Sequence, residues 1–191
     1  MTRLTAADVA CWVVKSSRAP GKLVPGWTPG AVHELIRCVR RSYRLELMGP
    51  GQPCLLWVSG RDRPGVHALG ELTGRVDEPA GGPEVPVRFR LLADPLPRAE
   101  LLADPVARAA EVLRMPAGSN PSWLSGDQYA AVLALLDDRR GGRPGQELRG
   151  AYMSRATPPR QTRAPARSHR SGRNPSATTA QASDPTMKTP P

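Results

Sequence analysis

ACWVVKSS, residues 10–17, is the first strong strand signal in the chain. Successive side chains of a strand point to opposite faces of a sheet. The stretch therefore has two faces, one with Trp12, Val14 and Ser16 and the other with Val13, Lys15 and Ser17. We predict a strand here that carries an indole ring and a hydroxyl group on the same side.

Two more segments predict a hairpin downstream. PCLLWVSG, residues 53–60, has the composition of a strand, and its alternate residues Leu55, Trp57 and Ser59 share one face. VHALGELTG, residues 66–74, follows the turn sequence RDRPG and is expected to pair back. Gly70 inside the return arm indicates a bulge or the close approach of another backbone.

A third strand and a helix are predicted on either side of this hairpin. VPVRFRLL, residues 85–92, alternates apolar residues with Arg88 and Arg90, which is typical of a strand with one solvated face. TPGAVHELIRCVRR, residues 28–41, is predicted as a helix with Thr28 as N-cap. Helical spacing gives it an apolar face (Val32, Leu35, Ile36, Val39) and a basic face (Arg37, Arg40, Arg41, with Arg44 beyond).

The last helices carry their own start signals. Short helical segments are expected near residues 98–102 and after Asp104, a predicted cap. The final helix begins at a Ser-x-x-Gln capping box, Ser125 with Gln128, and is expected to end at Gly141. Because strands outnumber helices, we predict an α+β fold, a small mixed β-barrel, partly open, flanked by helices.

Composition divides the chain into two parts near residue 140. Residues 1–140 suit one domain with a single core. Residues 151–191 carry six Arg and one Lys against one Asp, hence +6 of the total +10, and they lack Leu, Ile, Val, Phe and Trp. We predict that residues 141–191 are a disordered basic tail rich in Pro, Arg, Ser and Thr.

Several classes of protein are disfavoured by what the sequence contains. It has no run of 18 apolar residues and no signal-peptide pattern, so we expect a cytoplasmic protein without membrane contact. The three cysteines fit neither a disulfide framework nor a zinc site. No nucleotide-binding or hydrolase motif is present, and the three histidines lie far apart. We expect no enzymatic activity, cofactor or metal.

Four stretches, taken in order, resemble the EVE domain, a member of the PUA-like superfamily related to the YTH readers of modified bases. They are CWVVKSS, PGQPCLLWVSGRDRPGVHALGEL, LPRAELLADPVARAAEVLR and RMPAGSNPSWLSGDQYAAVLAL, which together cover most of residues 10–136. The resemblance implies a PUA-like barrel with a pocket for one extruded, modified base. It also implies a binding module for nucleic acid, with modified cytosine in DNA as the expected target.

Flat rings, hydrogen-bonding groups and positive charge are what such a site needs. The base-pocket candidates are Trp12, Ser16, Trp57, Ser59, Ser119, Asn120, Trp123 and Tyr43. The phosphate-binding candidates are Lys15, Arg37, Arg40 and Arg41. The segment IRCVRRSYR lacks a tryptophan that relatives carry in this region, and Tyr43 or Trp27 is expected to replace it.

Each candidate also has a structural alternative. Trp12 and Trp57 are equally suited to a core, Ser16 and Ser59 to the ends of strands, and Lys15 to a structural link. Trp123 either lines the pocket or seals one end of the barrel. For the whole chain, the alternatives are a PUA-like RNA binder and a protein-interaction adaptor with a degenerate pocket. We further expect a monomer, with an effector protein of a defence or DNA-processing system as a partner.

Overall fold

The computed structural model describes residues 3–140. Six strands make up its sheet: β1 (Cys11–Ser16), β2 (Val32–Cys38), β3 (Pro53–Val58), β4 (Gly65–Leu72), β5 (Glu84–Pro97) and β6 (Ser122–Leu124). Four α-helices accompany them: α1 (Pro20–Leu23), α2 (Arg98–Ala103), α3 (Glu111–Arg114) and α4 (Gly126–Arg139). Short 3-10 helices span Ala6–Asp8, Tyr43–Leu47 and Ala107–Ala109.

The strands form one mixed sheet in the order β2-β5-β4-β3-β1-β6. β1 and β3 run parallel, with Trp12 opposite Cys54, whereas every other neighbouring pair is antiparallel. The α+β class and the mixed sheet predicted from the sequence are confirmed.

The sheet curls until its two edge strands almost meet, which makes it the predicted partly open barrel. Asn120, just before β6, accepts a hydrogen bond from the Arg40 amide, O to N 2.6 Å. Its side-chain amide donates to the Cys38 carbonyl at the end of β2, 3.0 Å. β2 and β6 are joined through these bonds at one point and do not pair as strands.

The two faces of the sheet bury separate cores. The concave face encloses an interior core with Trp12, Val14, Leu56, Val87 and Phe89 among its buried members. The convex face packs against α2, α3 and α4 and holds Val13, Leu55, Trp57, Leu101 and Leu136. Cys54 lies in the interior core and Cys11 in the helix-covered core, so both thiols are buried, while Cys38 is exposed.

The predicted hairpin is confirmed as β3 and β4. They pair antiparallel, with an irregularity in register beside Trp57. Gly70 meets the close approach expected of it, because a Cβ at this position would lie 2.0 Å from the Arg88 carbonyl oxygen of β5. The third predicted strand is also present, although β5 extends to Pro97.

The predicted helix over residues 28–41 is wrong, because residues 32–38 form the edge strand β2. Gly30 has φ +81 and ends any helical start after Pro29. Strand alternation then governs exposure: Val32 and Ile36 are 43% and 59% exposed, while the intervening Leu35 faces the interior core. The apolar positions follow the helical period and not strand alternation, but the antiparallel pairing with β5 makes this segment a strand.

The capping signals of the last segments are confirmed. The Ser125 hydroxyl accepts a hydrogen bond from the Gln128 backbone amide, and the Ser125 backbone amide donates one to the Gln128 side-chain oxygen. Asp104 caps the 3-10 turn by accepting from the Val106 and Ala107 amides. Gly141 and the predicted disordered tail, residues 141–191, lie outside the described residues. Within residues 3–140, no helix is long and apolar enough to cross a bilayer.

Candidate functional site

Trp12 and Trp57 do not border a common pocket, which corrects the sequence prediction. Trp12 is fully buried in the interior core, and its indole N–H donates to the Gln52 side-chain oxygen, 2.8 Å. Trp57 lies on the opposite face of the sheet, 4% exposed in the helix-covered core. The void beside Trp57 measures about 10 Å³, which holds at most one water molecule and no nucleobase.

The two serines of the predicted pocket hold strand ends in place. The Ser16 hydroxyl donates to the Arg18 carbonyl, 2.9 Å, and accepts from the Arg18 amide, 3.0 Å. Ser59 follows β3, and its amide donates to the Ser16 carbonyl, 2.8 Å. The Ser16 hydroxyl therefore serves the structural alternative at the end of β1, whereas the bond of Ser59 is made by its backbone and leaves the role of its side chain a prediction.

Lys15 is a structural link, and its predicted phosphate contact is not supported. Its ammonium donates to the carbonyls of Pro116 and Gly118, each at 3.2 Å. Burial lowers the pKa of this ammonium, and neighbouring Arg40 and Arg44 act in the same direction against the attraction of Glu111. Lys15 thus fastens the 116–121 loop to β1.

Asn120 is the centre of that attachment. Its side-chain oxygen accepts from the Lys15 amide, 2.9 Å, and its side-chain nitrogen donates to the Cys38 carbonyl. The oxygen and the nitrogen of the Asn120 side-chain amide are therefore both hydrogen-bonded to backbone groups, which argues against Asn120 as a base contact. Ser119 beside it is half-buried.

Trp123 and Tyr43 also have distinct placements. Trp123 pairs with Trp12 across β6 and β1 and packs, partly exposed, against the interior core, as a residue that seals the barrel would. Tyr43 lies at the surface, 36% exposed, with the Arg3 guanidinium 4.5 Å from its ring centroid. Its hydroxyl accepts from the Leu4 amide, so Tyr43 does not replace a pocket tryptophan.

β2 is an edge strand whose inward-facing side chains are only partly buried, and we call this part of the barrel the seam. Three side chains of β2 face inward there, His33, Leu35 and Arg37. All three are only partly buried, whereas the inward residues of the adjacent β5, among them Val85, Val87 and Phe89, are fully buried. The difference arises because β2 pairs on one edge alone, so solvent reaches its inner face.

Trp27 and His33 place two aromatic rings at the seam. Their centroids are 5.5 Å apart with an interplanar angle of 77°, an edge-to-face arrangement. Trp27 is 7% exposed, and its indole N–H donates to the Ala31 carbonyl, 3.0 Å. Trp27 therefore supports the more exposed ring of His33, a residue that sequence reasoning missed because it assigned β2 to a helix.

Arg37 is also placed differently from its prediction. It faces the seam, while Arg40 and Arg41 are exposed, so the three do not form a basic stripe. Arg41 pairs with Glu78 at 2.7 Å. Burial, with a smaller effect from Arg18, lowers the pKa of Arg37. Neither Arg18, Arg37 nor Arg40 has a carboxylate partner among residues 3–140.

A buried ion pair supports the seam from behind. Arg44 donates two hydrogen bonds to Glu111, each 2.8 Å, with the two side chains 16% and 13% exposed. Ser122 donates a third bond to the same carboxylate, 2.7 Å. Burial opposes the charged form of Glu111, but these bonds outweigh it and lower the pKa of Glu111. The pair ties the chain after β2 to α3 and β6.

Other parts of the described chain provide weaker candidates for a binding site. No cluster of three or more His, Cys, Asp or Glu side chains suited to a metal ion occurs between residues 3 and 140. A cavity of about 230 Å³ lies away from the seam, where β5 meets α2, and is lined by Pro64, Pro95, Pro97 and Arg98 among others.

No protein-family model and no curated protein sequence matches the chain. Several solved structures, however, match the chain. A hypothetical protein from Leishmania major superposes with a TM-score of 0.55 at 19% sequence identity, over 71% of this chain and 99% of that protein. The DUF55 domain of human thymocyte nuclear protein 1 superposes with a TM-score of 0.51 at 18% identity, over 66% of this chain and 98% of that domain.

Human THYN1 protein, crystallised in complex with DNA containing 5-methylcytosine, is a third structure similar to this chain. The TM-score is 0.50 at 18% identity, over 66% of this chain and 97% of that one. These similarities confirm the fold predicted from the sequence, an α+β fold in which a mixed sheet is flanked by helices.

Proposed function

We propose that residues 3–140 form a non-enzymatic nucleic-acid-binding module that holds one extruded, modified base at the seam, with modified cytosine in DNA as the first candidate. The observation that carries the proposal is the fold shared with human THYN1, a protein solved on DNA containing 5-methylcytosine. The seam adds a local reason, because its inward-facing side chains, His33, Leu35 and Arg37, are only partly buried.

The chemistry of the seam suits a flipped base. His33, backed by Trp27, offers a flat face for stacking, and Arg37 offers hydrogen-bond donors. Arg40 follows β2 and Arg18 is exposed, and neither has a carboxylate partner among the described residues, so their charges are available for phosphates. The net charge of +10 favours the same partner.

The test is a binding titration of the full 191-residue chain by fluorescence anisotropy. The probes are single-stranded and duplex DNA that carry one cytosine or one 5-methylcytosine in an identical sequence, and the matching RNA. We expect tighter binding of the methylated DNA and a negative salt slope, with roughly 0.7 to 0.9 per phosphate contact. Absence of binding to every probe at low salt would refute the proposal.

Two outcomes distinguish the alternatives. Equal affinity for RNA with and without modification would favour a PUA-like RNA binder. A His33→Ala variant should lose the preference for the methylated base, since it removes the exposed ring, while Tyr43→Ala should keep it. Tyr43 is the matched control because it is an aromatic residue of the surface outside the seam.

A further inference from the structure

Arg37 and Arg139 differ in how the rest of their guanidinium groups are bonded. Among the described residues, Arg37 and Arg139 each have an Nε atom that is buried and lacks a hydrogen-bond partner. Arg139 compensates through its other nitrogens, which bind Glu100 and Asp94. The terminal nitrogens of Arg37 bind no residue between 3 and 140.

An unpaired guanidinium that faces the inside of a barrel is costly. A partly buried charge loses hydration and normally recovers it from a carboxylate or from several hydrogen-bond acceptors. Arg37 has neither, and Arg18 adds a like charge nearby. The buried Nε atom therefore lacks an acceptor among residues 3–140, while the terminal nitrogens are free to donate to solvent or to a bound group.

The position of Arg37 decides which acceptor fits. Its side chain shares the inner face of β2 with Leu35, whose side chain packs against the interior core, and with His33. A phosphate is strongly hydrated and remains on the outside of a base reader, whereas the extruded base enters. Arg37 therefore lies on the base side of the site, and Arg40 on the exposed side.

We propose that Arg37 recognises the edge of the bound base by donating two parallel hydrogen bonds, and so selects a base with two adjacent acceptors. This inference rests on the proposed function and specifies its substrate class. Cytosine and 5-methylcytosine present O2 and N3 as such a pair, and guanine presents O6 and N7. Adenine places a donor beside the acceptor on both its Watson–Crick and Hoogsteen edges, so adenine and N6-methyladenine are rejected.

The experiment measures discrimination and salt dependence together. Full-length wild type, Arg37→Met and Arg37→Lys are titrated with DNA probes that differ only in carrying 5-methylcytosine or N6-methyladenine at one site. We expect wild type to prefer 5-methylcytosine and both variants to lose that preference by roughly 5- to 150-fold, the effect of one bidentate contact. The salt slope should stay unchanged, because no phosphate contact is removed.

Arg41→Met is the matched control, since Arg41 is exposed and paired with Glu78. It should leave the base preference intact. Arg37→Met should fold at least as well as wild type, because it removes a charge without a partner. Arg37→Lys keeps the charge and provides a second variant if Arg37→Met does not fold.

Two results would overturn the inference, and they differ from failure of the proposed function. An equal loss for both probes, with the salt slope reduced by about 0.9, would make Arg37 a phosphate contact. Unchanged discrimination in both variants would remove it from the site. If wild type binds neither probe at low salt, the proposed function itself is wrong, and the inference with it.

Discussion

The two faces of the sheet each bury a tryptophan, yet they differ in how completely they are closed. On the convex face, Trp57 is covered by α2, α3 and α4, and the void beside it measures about 10 Å³. On the concave face, Trp12 is equally buried, but the edge strand β2 leaves its own inner side chains only partly buried. Helices cover the convex face. Closure of the concave face depends instead on the edge strands β2 and β6, which meet at one residue, Asn120.

The two faces therefore have different roles in our proposal: the convex face stabilises the domain, and the concave face binds the ligand. The helix-covered core consists of apolar side chains, which is what stabilises a domain of this size. The concave side places His33 and Arg37 beside its core, although these polar residues contribute little to packing. A face that must admit a ligand cannot be sealed, so the proposed base binding is assigned to the concave side.

Of the substitutions that test this comparison, Trp57→Ala has the largest expected effect. Removal of a large buried ring should lower the free energy of unfolding by about 3 to 5 kcal/mol. Chemical denaturation measures this change, and Trp57→Phe, which keeps most of the packing, should cost clearly less. Base preference, measured in any variant that stays folded, should not change. A stable Trp57→Ala protein without base preference would instead place Trp57 in the site.

Glu111→Gln tests whether the ion pair behind the seam joins the two regions. The substitution leaves Arg44 without its carboxylate in a mostly buried setting, and we expect a loss of about 2 to 4 kcal/mol. Because the pKa of Glu111 is lowered on folding, its charge stabilises the protein above its ordinary pKa, near 4.3, and that contribution is lost as pH falls below it.

The measurement is urea unfolding from pH 7 to pH 3. Wild type should lose stability more steeply than Glu111→Gln below about pH 4.3, since the variant has no carboxylate to protonate there. Parallel curves for the two proteins would show that the pair does not contribute as described. Glu46→Gln, at an exposed carboxylate on the 3-10 turn after β2, is the control.

Local signals in the sequence predicted much of the fold. The alternation in residues 10–17, the hairpin of β3 and β4, the close approach at Gly70 and the capping box at Ser125 depend on neighbouring residues alone, and all are present. The sequence predicted a helix in place of β2 because its apolar residues follow helical spacing, and two of them, Val32 and Ile36, are exposed in the strand. Only pairing with β5, about 50 residues away, decides between helix and strand.

The candidate site was harder to predict for the same reason. Alternation places Trp12 and Trp57 on definite faces of their own strands, but not on the same or opposite faces of the sheet. That relation follows from the parallel register, in which Lys15, and not Trp12, lies opposite Trp57. Arg37 and His33 became recognisable only once β2 was a strand with one open edge.

Asn120→Ala gives the smallest effect, and it tests the point where the barrel closes. The substitution removes the bonds from the Lys15 amide and to the Cys38 carbonyl, both at the partly solvated end of the seam, so we expect a loss of about 1 to 2 kcal/mol. Hydrogen exchange at the Lys15 amide should accelerate, because that amide loses its acceptor. Ser119→Ala is the matched control, since the Ser119 hydroxyl makes no hydrogen bond within residues 3–140. If Asn120→Ala leaves exchange at the Lys15 amide unchanged, the Asn120 side chain does not hold the 116–121 loop against β1.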